Sequence, residues 1–449
     1  MSRLAYRTAP GTGSEMPTGI PHIIGNEAAE RFSYYGMRAV LVVFMTQYLR
    51  DSAGELATLS EADATVYFHN FSSAVYFTPI FGALLADLLL GKYKTIISLS
   101  IVYCLGHVAL ALDDSLTGLT LGLTLIAIGA GGIKPCVSAH VGDQFGDGNA
   151  TLLPRVYSYF YFSINFGAFV SMLLTPWLLD YFGPHAAFGL PGFLMMVATW
   201  VFWLGRRRFI HVPPRGGAFF KEAFSREGVD AMLRLSVIYV FFAIFWSLFD
   251  QTGSTWVLQA QKMDRVLFGV EWLPSQIQAL NPLLIMLLIP LYNFVLYPAA
   301  ERFTRITPLG KISVGLFITA GSFFICALIE SWISAGHAPS IAWQWFAYVI
   351  ITGAEVLVSV TGLEFSYTQA PRAMKSMIMS LYLMSVSLGN QVTAIVNRVI
   401  SNADGTSSLE GTTYFLFFGG LMLVAAILFV PVALKFPVRS YIQESEEAA

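Results

Sequence analysis

Long apolar runs, separated by short polar stretches, fill almost the whole sequence. A bilayer core asks for roughly 20 consecutive apolar residues per helix. About twelve runs meet that length: 21–49, 63–90, 93–112, 116–141, 154–181, 186–205, 233–258, 278–300, 310–335, 341–369, 373–400 and 412–434. The first, tenth and eleventh are long, which implies tilt or extension beyond the hydrocarbon. Segment 206–232, rich in Pro, Gly and charge, divides the runs into two sets of six. The expected fold is an all-α membrane protein of about twelve transmembrane helices in two six-helix halves, 21–205 and 233–436. A linker at 206–232 joins them without further helices, and polar tails occupy 1–20 and 437–449.

Loop charge orients the predicted spans, because Lys and Arg are retained on the cytoplasmic side. The even-numbered loops hold Lys92, Lys94, Arg155, Arg206, Arg207, Arg208, Arg215, Lys221, Arg226, Arg302, Arg305, Lys311, Arg372 and Lys375. The tails add Arg3, Arg7, Lys435 and Arg439, whereas the odd loops hold only Arg50, Lys262 and Arg265. Both termini are therefore expected in the cytoplasm. The first twenty residues lack an apolar core before a cleavage site, so no signal peptide is expected.

Composition agrees with this picture. Of 449 residues, 55% are hydrophobic and 12% charged, about half the roughly 25% charge of soluble proteins. A net charge of −2 argues against nucleic acid, whose partners are basic. Cys104, Cys136 and Cys326 lie in apolar runs, with neither a disulfide framework nor metal-ligand spacing. No phosphate loop, HExxH, GxSxG or CxxC occurs, so an enzyme is not expected, and neither is a cofactor or metal. ATP is therefore not expected as the energy source, which leaves ion coupling to drive any uphill movement.

Charges inside the runs carry the chemistry. In Glu27-Ala-Ala-Glu30-Arg31-Phe-Ser-Tyr34-Tyr35-Gly-Met-Arg38, the residues Glu27, Glu30, Arg31, Tyr34 and Arg38 share one stripe about 100° wide. Each charge at the bilayer centre costs at least ~2.5 kcal/mol, so these groups need partners or water. Glu27 and Arg31, spaced i,i+4, supply one local pair. The bland alternative is an interfacial cap, against which Arg38 lies three turns beyond Glu27. Lys134 follows Gly129-Ala-Gly131-Gly132-Ile133 and precedes Pro135; it either meets a carboxylate or solute, or snorkels to the surface. Asp250 ends an aromatic run that contains Trp246, and a solvated helix end is its plain reading. Glu355 sits near the middle of the tenth run, and Glu364 nearer its end suits a structural pair. His69 fits either a hydrogen-bonded structural histidine or a proton relay. Arg234 and Arg398 lie near run ends, where snorkelling is the default.

Gly82-Ala-Leu-Leu-Ala-Asp87-Leu-Leu-Leu-Gly91-Lys92 has a shorter echo in Glu301-Arg302 and Leu309-Gly310-Lys311. Six-plus-six repeats with a midplane solute site are the architecture of major facilitator transporters, and the loop motif resembles that superfamily's. The pairing of ExxERFxYY at Glu27–Tyr35 with Gly-Gly-Ile-Lys134-Pro135 resembles the proton-dependent oligopeptide transporter family. So do Tyr161-Phe-Ser-Ile-Asn165-Phe-Gly, Phe-Trp246-x-x-Phe-Asp250-Gln, Asn281-Pro and Val360-Thr-Gly-Leu-Glu364-Phe-Ser-Tyr-x-Gln-Ala-Pro371. The resemblance runs from Gly19 to the twelfth run. It implies a monomeric inner (plasma) membrane symporter, surrounded by lipid, that imports di- and tripeptides with protons. It further implies proton coupling by Glu27, Glu30 and Arg31, an outer-gate acid at Asp250 and a coupling histidine at His69. The peptide carboxylate is then expected at Arg38 and Lys134, and the amino group at Asn165, Asn281 and Glu355. Tyr34, Tyr35, Tyr76 and Trp246 would wall the side-chain pockets, with Ser385 nearby. Lys134 is expected to pair with Glu27 or Glu30 when peptide is absent. Two extra helices of many bacterial relatives are missing at 206–232, and only Ser334–Ile341 stands where animal relatives carry an extracellular domain. Plant relatives that carry nitrate share the ExxER helix; Glu355 argues against an anion, since an acid suits an amine instead.

Overall fold

The computed structural model describes residues 6–11, 13–214, 216, 225–370, 375–401 and 407–438. Arg3, Arg215, Lys221, Pro371, Arg372 and Arg439, together with the middle of the expected linker and the distal C-terminal tail, lie outside them.

The apolar runs are helices, and the described structure is helical but for one two-stranded ribbon. Among the described residues, ten helices are long and apolar enough to cross a membrane. Ile20–Gln47 is a further helix of 28 residues, and its interior charges are what set it apart from those ten. The run at 61–90 ends in a π-helical turn, Ala86–Leu90; others occur at Tyr292–Leu296 and Val356–Val360. Short polar connections supply the start signals. Ser60, Ser115, Ser225 and Thr307 each accept a hydrogen bond from a backbone N–H of the first turn, satisfying one of the donors a helix start leaves open.

The helix Leu153–Leu204 is interrupted at Gly183, whose φ of 79° and ψ of −178° are not helical. Glycine is the residue that adopts this backbone without a Cβ penalty, and Pro184 after it cannot supply a helical N–H. The gap expected between 181 and 186 falls here. Contacts to the first helix show that the chain doubles back. Gly167 lies against Ala28 and Gly36 against Thr175. Beyond the break, Phe188 meets Phe44 with ring centroids 5.0 Å apart, and Phe209 packs on Gly19.

Among the described residues, two large buried clusters form most of the interior, with a small third one of Ala39, Met172 and Ala279. Of the large ones, one takes its side chains from Ile20 to Phe209 plus Leu258; the other runs from Ala231 to Phe429. In lipid, apolar burial gives little net drive between helices, so close backbone approach matters more. Gly82 provides it: a Cβ there would collide with the carbonyl and Cα of Gly131 and Gly132. The three cysteines are buried and unbonded.

The ribbon, Val266–Leu267 paired antiparallel with Val270–Glu271, is the one correction to the all-α expectation. Phe268 and Gly269 form its tip with φ of 55° and 76°, as a tight two-residue turn requires. Lys262 pairs with Glu61 at 3.1 Å, the Asp264 backbone bridges Ser340, and the Arg50 backbone bridges Ser115. These loops share one end of the bundle, called here the hairpin face.

Candidate functional site

The stripe on the first helix is buried as its spacing demanded. Glu27 is 1% exposed and Glu30 is inaccessible. Arg31 serves both, with Nε 2.7 Å from Glu27 Oε1 and 3.3 Å from Glu30 Oε2. The expected partnership of Lys134 with these acids is not formed. Its ammonium is buried without a hydrogen-bond partner and lies 3.9 Å from the ring centroid of Tyr34 and 4.9 Å from that of Tyr76. Arg31 wins because it sits one turn from Glu27 on the same helix, so pairing needs no movement between helices. Cation–π attraction, worth ~2 kcal/mol or more when desolvated, holds Lys134 without taking up its donors. Four charges thus sit together, two of each sign, with Glu27 Oε2 and both Glu30 oxygens lacking hydrogen bonds of their own.

Seven residues beyond Arg31, Arg38 enters a second network. Its Nη2 donates to Asp250 Oδ1 at 2.6 Å, while its guanidinium stacks on Phe68. Asp250 Oδ2 accepts from Asn390 Nδ2 at 2.6 Å. That fixes the Asn390 amide, so its Oδ1, which can only accept, faces His69 Nδ1 at 2.7 Å. His69 therefore carries its proton on Nδ1, and Nε2 accepts from Ser254 Oγ at 2.9 Å. Ser73 and Ser387 (2.8 Å) join the clusters beside this network, and Gln391 donates to Asn70. Gln278 and Gln276 donate to the carbonyls of Ala39 and Leu173. All of these contacts lie toward the hairpin face and draw the two clusters together there.

A third group belongs to the second cluster. Asn281 Nδ2 donates to Glu355 Oε2 at 2.6 Å and to Thr352 Oγ1 at 3.3 Å. Glu355 ends a regular helical stretch, and the π-helical turn beginning at Val356 changes the helix register just past it. It lies within electrostatic reach of Tyr35, packed against the first cluster, and of the exposed Tyr161.

The remaining expected residues divide. Tyr34 and Tyr76 face Lys134, and Tyr35 packs edge-on against Tyr34. Trp246 packs on Phe245 and Phe249. Asn165 and Ser385 bond only their own helices, donating to Tyr161 O and Tyr382 O, so Asn165 is not joined to Asn281 or Glu355. Arg38, expected beside Lys134, is held by Asp250. Arg234 pairs with Asp230 and also reaches Pro437 O. Sequence reasoning overlooked Asn390 and Ser254. The signal was there: Gly389-Asn390-Gln391 is a polar interruption in an apolar run, and buried amides require partners.

The sequence matches the family described as the POT family over residues 93–226 and 221–415. The chain belongs to the POT family. This POT chain is 37% identical over 404 residues to human solute carrier family 15 member 2, covering 78% of its own length and 54% of that protein. It spans about half the length of the curated relatives it matches. Among solved structures, the POT family transporter PepTSo superposes with a TM-score of 0.85 at 37% identity, covering 94% of this chain and 99% of that one. An auto-inhibited POT family peptide transporter gives 0.86 at 35%, covering 96% and 99%. Like these relatives, the POT chain is a multi-pass membrane protein of helical, major-facilitator-like architecture.

Proposed function

We propose that this chain is a proton-coupled symporter that imports di- and tripeptides by alternating access. The observation that carries the reading is the separation of charge across the two clusters. The unpaired Lys134 ammonium stands on one side, and Glu355 held by Asn281 on the other. A zwitterionic peptide presents a carboxylate and an ammonium at its ends and satisfies both groups at once. The tyrosines between them offer apolar surface that accepts many side chains.

Twelve crossings follow if the first helix spans despite its charges and the Gly183 break divides one long helix into two. Unbroken, 52 residues would extend ~78 Å, far beyond a bilayer core of ~30 Å. The two buried clusters then correspond to six-helix halves, 21–205 and 233–436, joined by 206–232. Basic loop charge argues for cytoplasmic tails in the inner (plasma) membrane, with the hairpin face outside. The unit is a monomer in lipid, with protons as the sole coupling ion and no cofactor.

Charge balance supplies the coupling. Glu27, Glu30, Arg31 and Lys134 together are neutral. When a peptide carboxylate takes Lys134 as its counter-ion, the two acids are left with Arg31 alone, and one of them gains a proton more readily. The proton thus accompanies the carboxylate, and release of peptide returns Lys134 to the acids' field. Closure of the hairpin face by Arg38, Asp250, Asn390 and His69 commits the load inward.

The test is uptake of labelled dialanine into proteoliposomes with and without an inward proton gradient, competed by tripeptide or by nitrate. Gradient-driven accumulation blocked by tripeptide is expected. Competition by nitrate instead, or no accumulation, overturns the peptide assignment.

A further inference from the structure

Behind the coupling acids, the first helix carries a further polar patch that the charge cluster leaves unused. Ser33 follows Glu30 by three residues and so lies one turn along the same face. Its Oγ is 2.7 Å from His107 Nε2. Tyr103 stands one turn before His107 on Lys92–Leu112, with its ring centroid 5.1 Å from the imidazole's. The Tyr103 hydroxyl lies beside Ser33 and within electrostatic reach of Glu30, yet it makes no hydrogen bond. Glu30, Ser33, Tyr103 and His107 are all inaccessible. The chain leaves room for the histidine: a Cβ on Gly192 would come within 2.7 Å of His107 Cβ. Nδ1 turns toward Gly192, and the Phe188 carbonyl lies beside the same ring.

Glu30 needs different company in its two protonation states. Ionised, it has Arg31 as counter-ion at 3.3 Å. Protonated, it gives up that attraction and gains a buried O–H, which is costly without an acceptor. The titratable groups around it are Glu27, Arg31, Tyr34 and Tyr35 of its own helix, Lys134 of Leu116–Gly142 and Tyr103 of Lys92–Leu112. Arg31 and Lys134 only donate, and Glu27 Oε1 is taken by Arg31. Tyr103 leads on to two more acceptors, Ser33 Oγ and His107 Nε2. Facing His107 are Ser33, Tyr103 and Phe188, and the adjoining contact with Leu116–Gly142, at Gly106, brings Gly122 and Ile126. With no counter-ion among these the buried imidazole is neutral, and a proton on Nδ1 leaves the Nε2 lone pair to accept.

We propose that His107, acting through Ser33 and Tyr103, is a positioning residue that stabilises the protonated form of Glu30. The acid donates to Tyr103 Oη, Tyr103 to Ser33 Oγ, and Ser33 to His107 Nε2. Each donor then meets an acceptor, and bonds in such a series strengthen one another. The acid is thereby held in its loaded form while a peptide carboxylate occupies Lys134. That consequence rests on the symport reading; the donor series does not.

The experiment uses the full chain in liposomes and infrared difference spectra across a pH series. The carbonyl band of a protonated carboxylic acid is followed, and its loss in Glu30→Gln identifies the contribution of Glu30. His107→Leu removes the last acceptor and Ser33→Ala the link to it. Either change withdraws support from the neutral acid, so the midpoint of the Glu30 band should move about one pH unit lower, an about tenfold loss of proton affinity for one missing hydrogen bond. His107→Gln, whose amide oxygen can accept in place of Nε2, should keep the parent midpoint, a distinction that a packing role would not make. Ser33→Ala removes one oxygen and remains informative if His107→Leu fails to fold. A midpoint that stays put or rises in the well-folded variants, equal shifts in His107→Gln and His107→Leu, or no Glu30 band in the parent overturns the proposal. Dialanine uptake by the same liposomes keeps the two readings apart. The expected band shifts without any dialanine accumulation would sink the transport assignment and leave the positioning role, whereas gradient-driven uptake with an unmoved band would do the reverse.

Discussion

Asn390→Ala is the most informative change the closed face permits. Its amide bridges Asp250 and His69 at 2.6 and 2.7 Å, both across buried, water-poor surroundings. A hydrogen bond to a charged group is worth about 1.5–3 kcal/mol net and a neutral one about 0.5–1.5. Losing both should cost the closed face at least about 2 kcal/mol, provided that the open face makes neither. That corresponds to a shift of the closed-to-open ratio by about thirtyfold. The Arg38–Asp250 pair survives in the variant, so the fold is expected to persist. Spin labels at L56C and F268C, both exposed and on opposite clusters of the hairpin face, would report the ratio. Double electron–electron resonance should show a longer-distance population in N390A that is minor in the parent. A distance distribution identical to the parent's would refute the view that this amide holds the face shut.

Three further outcomes are expected. Glu30→Gln should retain peptide binding but lose the pH dependence of uptake, and an unchanged pH profile would remove Glu30 from the coupling cluster. Glu355→Gln should raise KM for dialanine by about tenfold or more, as expected for a lost charge-assisted contact, yet leave an N-acetylated dipeptide little affected; equal effects on both would place the peptide amine elsewhere. Gly82→Val drives a branched side chain into the Gly131–Gly132 backbone, where overpacking costs about 1–3 kcal/mol; it should lower the melting temperature in detergent, and no change would mean the helices part easily there.

Much of this was legible because a bilayer imposes one length scale on every helix. Observed helices at Lys92–Leu112, Leu116–Gly142 and Thr412–Lys435 coincide with apolar runs within a residue or two. The seventh run is the exception. Its helix begins earlier, at Arg226, and after a tight turn at Asp250–Gly253 resumes to Gln261, since polar ends are invisible to hydropathy. The Glu27–Arg31 pair was readable because it is local. Arg38 with Asp250 was not, being 212 residues apart, and nothing in the spacing of either run chooses its partner. The same distance hid Asn390. Lys134 was given the wrong companion because charge alone suggested a carboxylate, while the tyrosine faces that hold it are contributed by two other helices.

The network at the hairpin face also has a direction. Ser254 donates to His69, His69 to Asn390 and Asn390 to Asp250, which Arg38 meets from the other side. Every dipole in the series therefore points at one carboxylate, and dipoles aligned head to tail polarise and strengthen one another. Such a series acts as a unit rather than as separate bonds. It has no half-open rung at which to rest, because breaking any link weakens its neighbours. The control point is its terminus: cancel the charge on Asp250, and the reason for the whole series to point that way is gone.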